Sequence, residues 1–214
     1  SGSISGVDLQ RFKPNIDQRD NLRLKYGISQ KSFVLLFVGR LKKDKGIFDL
    51  IDAYLILKKK KLNIDLIIVG PDEENCKNKI TSKLSFASEK VHFFSFSKQP
   101  EDFMCLSNVF IMPSYREGFG TSVIEAAACG LPTIASNIYG LNDAVVNHET
   151  GILFQVKNYK ELSDKIEILY NDRNLCNEYG QNALKRVKNF FSQEQINSEI
   201  ISFYKKKFDL LKGV

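Results

Sequence analysis

The chain has 214 residues, the size of one compact unit able to bury a substantial core, and no apolar run near the roughly 20 residues that a membrane-spanning helix needs. Its four cysteines, Cys76, Cys105, Cys129 and Cys176, are far apart and form no close pair of metal ligands, so they read as reduced and structural; His92 and His148 are isolated and read as strand-edge or loop residues. The net charge of +6 comes from lysines spread over helix surfaces, with clusters at Lys58 to Lys61 and Lys205 to Lys207. An anionic membrane surface or nucleic acid would suit them, but lysine-rich helices are most often solvated faces, and no aromatic-basic stacking platform or recognition-helix motif points to nucleic acid.

In chain order, the first predicted strand is the apolar run Phe33 to Val38. It overlaps FVGRLKKDKG, Phe37 to Gly46. Gly39 permits a tight turn at the strand's carboxyl end, Arg40 and Lys45 bring cations there, and Gly46 opens a helix running to about Lys60. Arg offers a planar fork and Lys a mobile point charge, a pair suited to a diphosphate. Each cation about 4 Å from a phosphate oxygen gains on the order of 4 kcal/mol of Coulomb energy at an effective dielectric near 20, before desolvation. Taken alone, the same charge run also fits a solvated basic loop.

Further strands are predicted near 64 to 69, 91 to 94, 109 to 112, 133 to 135 and 151 to 154, with helices between them. Ile47, Leu50, Ile51, Tyr54, Leu55 and Leu57 make the first crossover helix apolar on one side, and runs such as Leu66 to Val69 suit strands buried on both faces. The expected fold is therefore α/β, a Rossmann-like doubly wound parallel sheet with helices on both faces. Right-handed crossovers put the loops after the first and fourth strands at one edge.

The second loop is PSYREGFGTSVIEAAACG, Pro113 to Gly130. Pro113 ends the strand Val109 to Met112, Gly118 and Gly120 allow close backbone approach or positive φ, and Thr121 to Cys129 reads as a helix. Unpaired amides over Gly120, Thr121 and Ser122 would meet a diphosphate already oriented. Glu117 stays in the loop, within reach of sugar hydroxyls. Glu125 lies one turn beyond Thr121, where a carboxylate can accept from vicinal ribose hydroxyls. An ordinary loop feeding a core helix explains glycines and glutamates in isolation equally well.

Beyond Phe154, helices are predicted over Tyr159 to Tyr170 and Leu175 to Phe190, then a break at Phe191 and Ser192 and a final helix from about Gln193. Ile196, Ile200, Tyr204, Phe208 and Leu211 form an apolar stripe on that helix, which packs either on its own domain or on another body.

The motifs together resemble the carboxyl-terminal half of family four retaining glycosyltransferases, which have the GT-B architecture of two Rossmann-like domains facing a cleft. The resemblance runs from GVDLQRFKP (Gly6 to Pro14), similar to the family's hinge, through FVGRLKKDKG, LIIVGP, VHFFSFS, VFIMPSYREGFGTSVIEAAACGLPTIAS and GILF to the last helix. It implies that Arg40 and Lys45 bind the diphosphate, that Glu117 binds the donor sugar and that Glu125 binds the ribose. It also places Gly39, Gly118, Phe119, Gly120, Thr121 and Ser122 around sugar and phosphate, and Phe96 near the base. Ser95 replaces a glycine common in the family beside the base-framing segment, and Tyr139, Asn142 and Asp143 replace glycine, proline and glutamate.

The resemblance implies residues 1 to 20 as a hinge, 21 to 190 as the nucleotide-sugar-binding domain and 191 to 214 as a crossover helix. The expected function is the donor-binding half of a retaining hexosyltransferase. It would use a UDP- or GDP-linked sugar and a glycan or lipid-linked acceptor in cell-surface polysaccharide synthesis, with Arg40, Lys45 and Glu117 as catalytic residues. No metal and no other cofactor is expected. The acceptor-binding amino-terminal domain is missing, so the fragment alone should turn over little, and its expected location is cytoplasmic, peripheral at the inner membrane face. Alternatives are a non-catalytic nucleotide-sugar-binding module and half of a GT-B-like epimerase or phosphorylase.

Overall fold

The computed structural model describes residues 6–212, with side chains at all of these except 85, 86 and 207–212. Ser1 to Ser5, and the side chains of Lys207, Phe208 and Leu211 in the final helix, therefore lie outside the described residues. The strands are β1 (Phe33–Val38), β2 (Ile64–Val69), β3 (Val91–Phe94), β4 (Val109–Met112), β5 (Thr133–Ser136) and β6 (Gly151–Phe154). Each starts where the apolar pattern predicts, and β5 runs one residue further. The helices are α1 (Ile16–Lys25), α2 (Ile47–Lys59), α3 (Cys76–Leu84), α4 (Pro100–Leu106), α5 (Thr121–Ala128), α6 (Tyr139–Asn142), α7 (Tyr159–Asn171), α8 (Arg173–Phe190) and α9 (Gln193–Lys212).

The six strands form one parallel sheet in the order β3-β2-β1-β4-β5-β6. Winding therefore reverses at β1, and the carboxyl ends of β1 and β4 lie side by side, the position at which open α/β sheets bind ligands. β1 carries almost no polar side chains because both its faces are covered. Leu35 and Phe37 join Leu50, Tyr54, Ile80 and Ile166 in one core layer. Val34 and Leu36 join Leu22, Phe103, Val123 and Ala183 in the other.

α1 is not visible in the apolar periodicity, since IDQRDNLRLK buries only Leu22 and Arg23. Its start is fixed by Asn15, whose side chain accepts from the Gln18 amide. What holds it is a buried cation: Arg23 donates to the carbonyls of Leu106, Ser29, Gln30 and Ser32 and to Asn108 Oδ1 at 2.9 to 3.2 Å. Burial lowers the guanidinium pKa to about 10, well below its ordinary value. Arg23→Met should strand these acceptors and destabilise the chain by roughly 3 kcal/mol in urea denaturation, because an unpaired buried acceptor costs more than a hydrogen bond gains. A loss under 1 kcal/mol would show that water replaces the guanidinium.

The segment before α1 is packed on the domain. Val7 and Phe12 are buried, and Val7 exchanges backbone bonds with Phe191 and Gln193 at 2.8 and 3.0 Å. The expected break at Phe191 and Ser192 is thus a pairing site for the entry segment. On α9, Ile196 and Ile200 are half-buried, while Ile201, Phe203 and Tyr204 are more than half exposed. His92 does lie on an edge strand, β3, where its Nε2 is 2.7 Å from the buried carboxylate of Asp65, which also accepts from Ser32 Oγ. Among the described residues no helix is long and apolar enough to cross a membrane, and no cluster of His, Cys, Asp and Glu suited to a metal ion occurs.

Candidate donor-binding cleft

The loop after β1 makes a short 3-10 turn over Lys43–Lys45 and enters α2 through Gly46 in the left-handed region, at φ 69°. The loop after β4 descends through Pro113 and Glu117 and enters α5 through Gly120, also left-handed at φ 67°. The two loops touch. The Tyr115 amide donates to the Asp44 carbonyl at 2.8 Å, and Gly46 packs so closely on Pro113 that an added Cβ would lie 1.9 Å from the Pro113 oxygen.

These contacts bring the charged groups together. Lys45 Nζ lies 2.7 Å from Glu117 Oε1, with side-chain exposures of only 16% and 14%, and the buried hydroxyl of Ser114 donates to the same oxygen at 2.8 Å. Arg40, Lys45 and Glu117 line a cavity of about 280 Å³ with Gly39, Gly120, Thr121 and Ser122. Its apolar floor is Phe37, Val38 and Met112. No side chain caps α5; the Val123 amide turns back onto the Gly120 carbonyl at 2.8 Å, which leaves the amides of Thr121 and Ser122, both in the cavity lining, without intrahelical acceptors. A site with two cations, free amides and one carboxylate is built for an anion that carries hydroxyls.

Arg40 is held at the rim by Glu73, 3.5 Å away and shared with Lys42 at 2.8 Å. The pair is exposed and screened by water, so an incoming phosphate could displace it cheaply. Gly39 needs no positive φ; Gly70 is the residue under constraint, because its Cβ would meet the Gly39 carbonyl oxygen at 1.9 Å.

The remaining predicted residues are not in the cavity lining. Gly118 is exposed in the loop, and Phe119 packs edge-on against Phe191 at 5.5 Å, tying the loop to the entry to α9. Phe96 is 72% exposed on the loop after β3. Glu125 lies one turn along α5, half-buried, with a pKa pushed up to about 7 by burial, lowered somewhat by Arg11 and raised by Glu101. Sequence reasoning missed Ser114, although a serine between the strand-ending proline and a glutamate three positions on was a readable signal. It also missed Glu73, which lies on a different strand's loop.

The fold is that of one half of a GT-B protein, and comparison with known proteins gives the family. A family model described as glycosyl transferases group 1 matches residues 18–186, so the chain belongs to that family. It is 36% identical over 207 residues to the capsular polysaccharide biosynthesis glycosyltransferase CapM of Staphylococcus aureus, covering 95% of this chain and 53% of that protein. The chain spans about half the length of the curated relatives it matches. Among solved structures, Anabaena HepE in complex with UDP and glucose superposes with a TM-score of 0.86 at 23% identity, covering 94% of this chain and 55% of that one. The carboxyl-terminal domain of the group 1 glycosyltransferase LpcC of Francisella tularensis superposes with a TM-score of 0.79 at 24% identity, covering 87% of this chain and 99% of that one.

Proposed function

We propose that this chain is the donor-binding half of a retaining glycosyltransferase that takes a UDP- or GDP-linked hexose and acts in polysaccharide synthesis. The observation that carries the reading is the meeting of Arg40, the Lys45–Glu117 pair and the uncapped start of α5 in one cavity between β1 and β4. The relationship to CapM supports polysaccharide synthesis, and the UDP bound by HepE supports a nucleotide-sugar donor.

In this reading Arg40, Lys45 and the amides of Thr121 and Ser122 take the diphosphate and stabilise the charge that builds on it as the glycosidic bond breaks. Glu117 holds sugar hydroxyls. It already accepts from Lys45 and Ser114, so it is a poor base for the acceptor hydroxyl. The departing phosphate oxygen takes the acceptor proton on the same face, which preserves anomeric configuration. Glu125 accepts from the ribose, and the exposed side of α9 at Ile201 and Tyr204 meets the amino-terminal half that supplies the acceptor pocket.

Calorimetric titration with UDP and GDP tests this. One of them is expected to bind at or below millimolar concentration, and the affinity should rise with pH as Glu125 ionises around 7, since only the carboxylate accepts from both ribose hydroxyls. Absence of binding by either nucleotide at millimolar concentration would overturn the reading.

A further inference from the structure

We propose that Arg11, on the segment leading into the domain, is a positioning residue for the nucleotide: it fixes the loop after β3 to α4 and supplies positive charge that acts on both Glu101 and Glu125. The proposal rests on the donor-binding reading above. It adds a residue that lies outside both loops of the cleft.

The geometry begins with the turn that presents Arg11. Asp8 Oδ1 accepts from the Gln10 and Arg11 amides at 2.8 and 3.3 Å, and the neighbouring Phe12 is buried in the core. The guanidinium leans on the Phe12 ring, 4.9 Å from its centroid. From there it makes a two-pronged contact with Glu101 of α4, Nε to Oε1 at 3.1 Å and Nη2 to Oε2 at 2.9 Å, and Nη2 also donates to the Lys98 carbonyl at 2.6 Å. A planar fork grips a carboxylate through two N–H groups in fixed geometry and holds a third acceptor beside it, whereas an ammonium is a compact point charge that cannot match the carboxylate bidentately. The loop it holds, residues 95 to 99, carries the exposed Phe96.

The electrostatic half of the argument concerns Glu125. Among the described residues no side chain hydrogen-bonds to its carboxyl, although it is half-buried. The charged and titratable groups that face it are Arg11 from the entry segment, Glu101 from α4 and the thiol of Cys129, which caps the end of α5, and a hydrogen bond with the Cys105 thiol together with burial keeps the Cys129 thiol protonated. Arg11 favours the ionised form of Glu125 and Glu101 opposes it. Removing Arg11 therefore acts twice in the same direction, because it deletes the cation and leaves the charge of Glu101 uncompensated. The pH at which Glu125 becomes competent to accept two hydroxyls must then rise.

The test follows the carboxyl carbon of Glu125 by NMR against pH in the chain and in Arg11→Met, Arg11→Lys and Glu101→Gln, alongside UDP affinity from pH 6 to 8. In Arg11→Met the Glu125 midpoint is expected to move up by about one pH unit. That leaves roughly fivefold less of it ionised at pH 7, so UDP should bind several-fold more weakly there and recover at higher pH. Arg11→Lys should keep the midpoint near that of the parent chain but lose affinity at every pH, since the fork on Glu101 that also reaches the Lys98 carbonyl is gone. Glu101→Gln should move the midpoint down. An unchanged midpoint in Arg11→Met, or in Glu101→Gln should Arg11→Met fail to fold, overturns the charge role; unchanged UDP affinity in both Arg11 variants overturns the positioning role. If the parent chain binds no nucleotide while the midpoints move as stated, the donor reading fails and the coupling of Arg11 to Glu125 stands.

Discussion

Replacing Lys45 by methionine is expected to weaken binding of the nucleoside diphosphate by roughly 10- to 100-fold and to abolish transfer, whereas Glu117→Gln should abolish transfer and leave that binding unchanged or tighter. The asymmetry follows from the ion pair. Lys45 and Glu117 are within 2.7 Å of each other and are largely shielded from water, so each spends its charge on the other when no donor is present. A diphosphate needs the ammonium free, and the neutral amide in Glu117→Gln would no longer hold it. Lys45→Met removes a cation from the cavity and leaves Glu117 facing the phosphates, which adds repulsion to the lost attraction. The check is calorimetry with the nucleoside diphosphate, together with donor turnover measured with the amino-terminal half present. Equal loss of binding in the two variants would show that the pair acts as one structural unit and not as two ligands with separate roles. Ser114→Ala belongs between them: Ser114 donates to the same Glu117 oxygen that Lys45 holds, so its removal should lower turnover with little change in binding.

Much of this cleft is legible in the order of residues alone, and the parts that are not share a cause. The strands are legible because β1 and β2 are nearly unbroken apolar runs, the mark of strands covered on both faces. The two loops are legible because they carry glycine and charge immediately after such runs. α1 is hidden because it is held by two arginines, Arg23 bonded to carbonyls of residues 29, 30, 32 and 106 and Arg19 bonded to those of 105 and 107, not by an apolar stripe. The charged neighbours of Glu125 are hidden for a related reason: Arg11 and Glu101 come within electrostatic reach of it through tertiary packing, and nothing in local spacing announces it. By spacing the two glutamates of the second loop look like a matched pair, yet their surroundings differ. Glu117 is ion-paired in the cavity, while Glu125 is unpaired and raised toward neutrality. In the proposed reading a donor would displace Glu117 from its partner and give Glu125 one.

Gly46→Ala should be among the most disruptive single-methyl changes in the cleft, destabilising the chain by about 3 kcal/mol or more and lowering nucleotide affinity at least tenfold in whatever fraction folds. Two effects combine there. The backbone is left-handed at φ 69°, which costs an L-residue about 1 to 2 kcal/mol, and the new Cβ would lie 1.9 Å from the Pro113 carbonyl oxygen, a contact that backbone movement alone can relieve. The movement required parts the two loops at the point where Asp44 and Tyr115 join them, and it carries Lys45 away from Glu117. Gly27→Ala separates strain from collision, because Gly27 has the same φ of 69° but nothing within 4 Å of the position its new methyl would take. That control should lose only the left-handed cost and bind nucleotide normally. If Gly46→Ala proves no worse than Gly27→Ala in denaturation and in UDP titration, the close contact between the loops after β1 and β4 is not what holds Lys45 and Glu117 in one cavity.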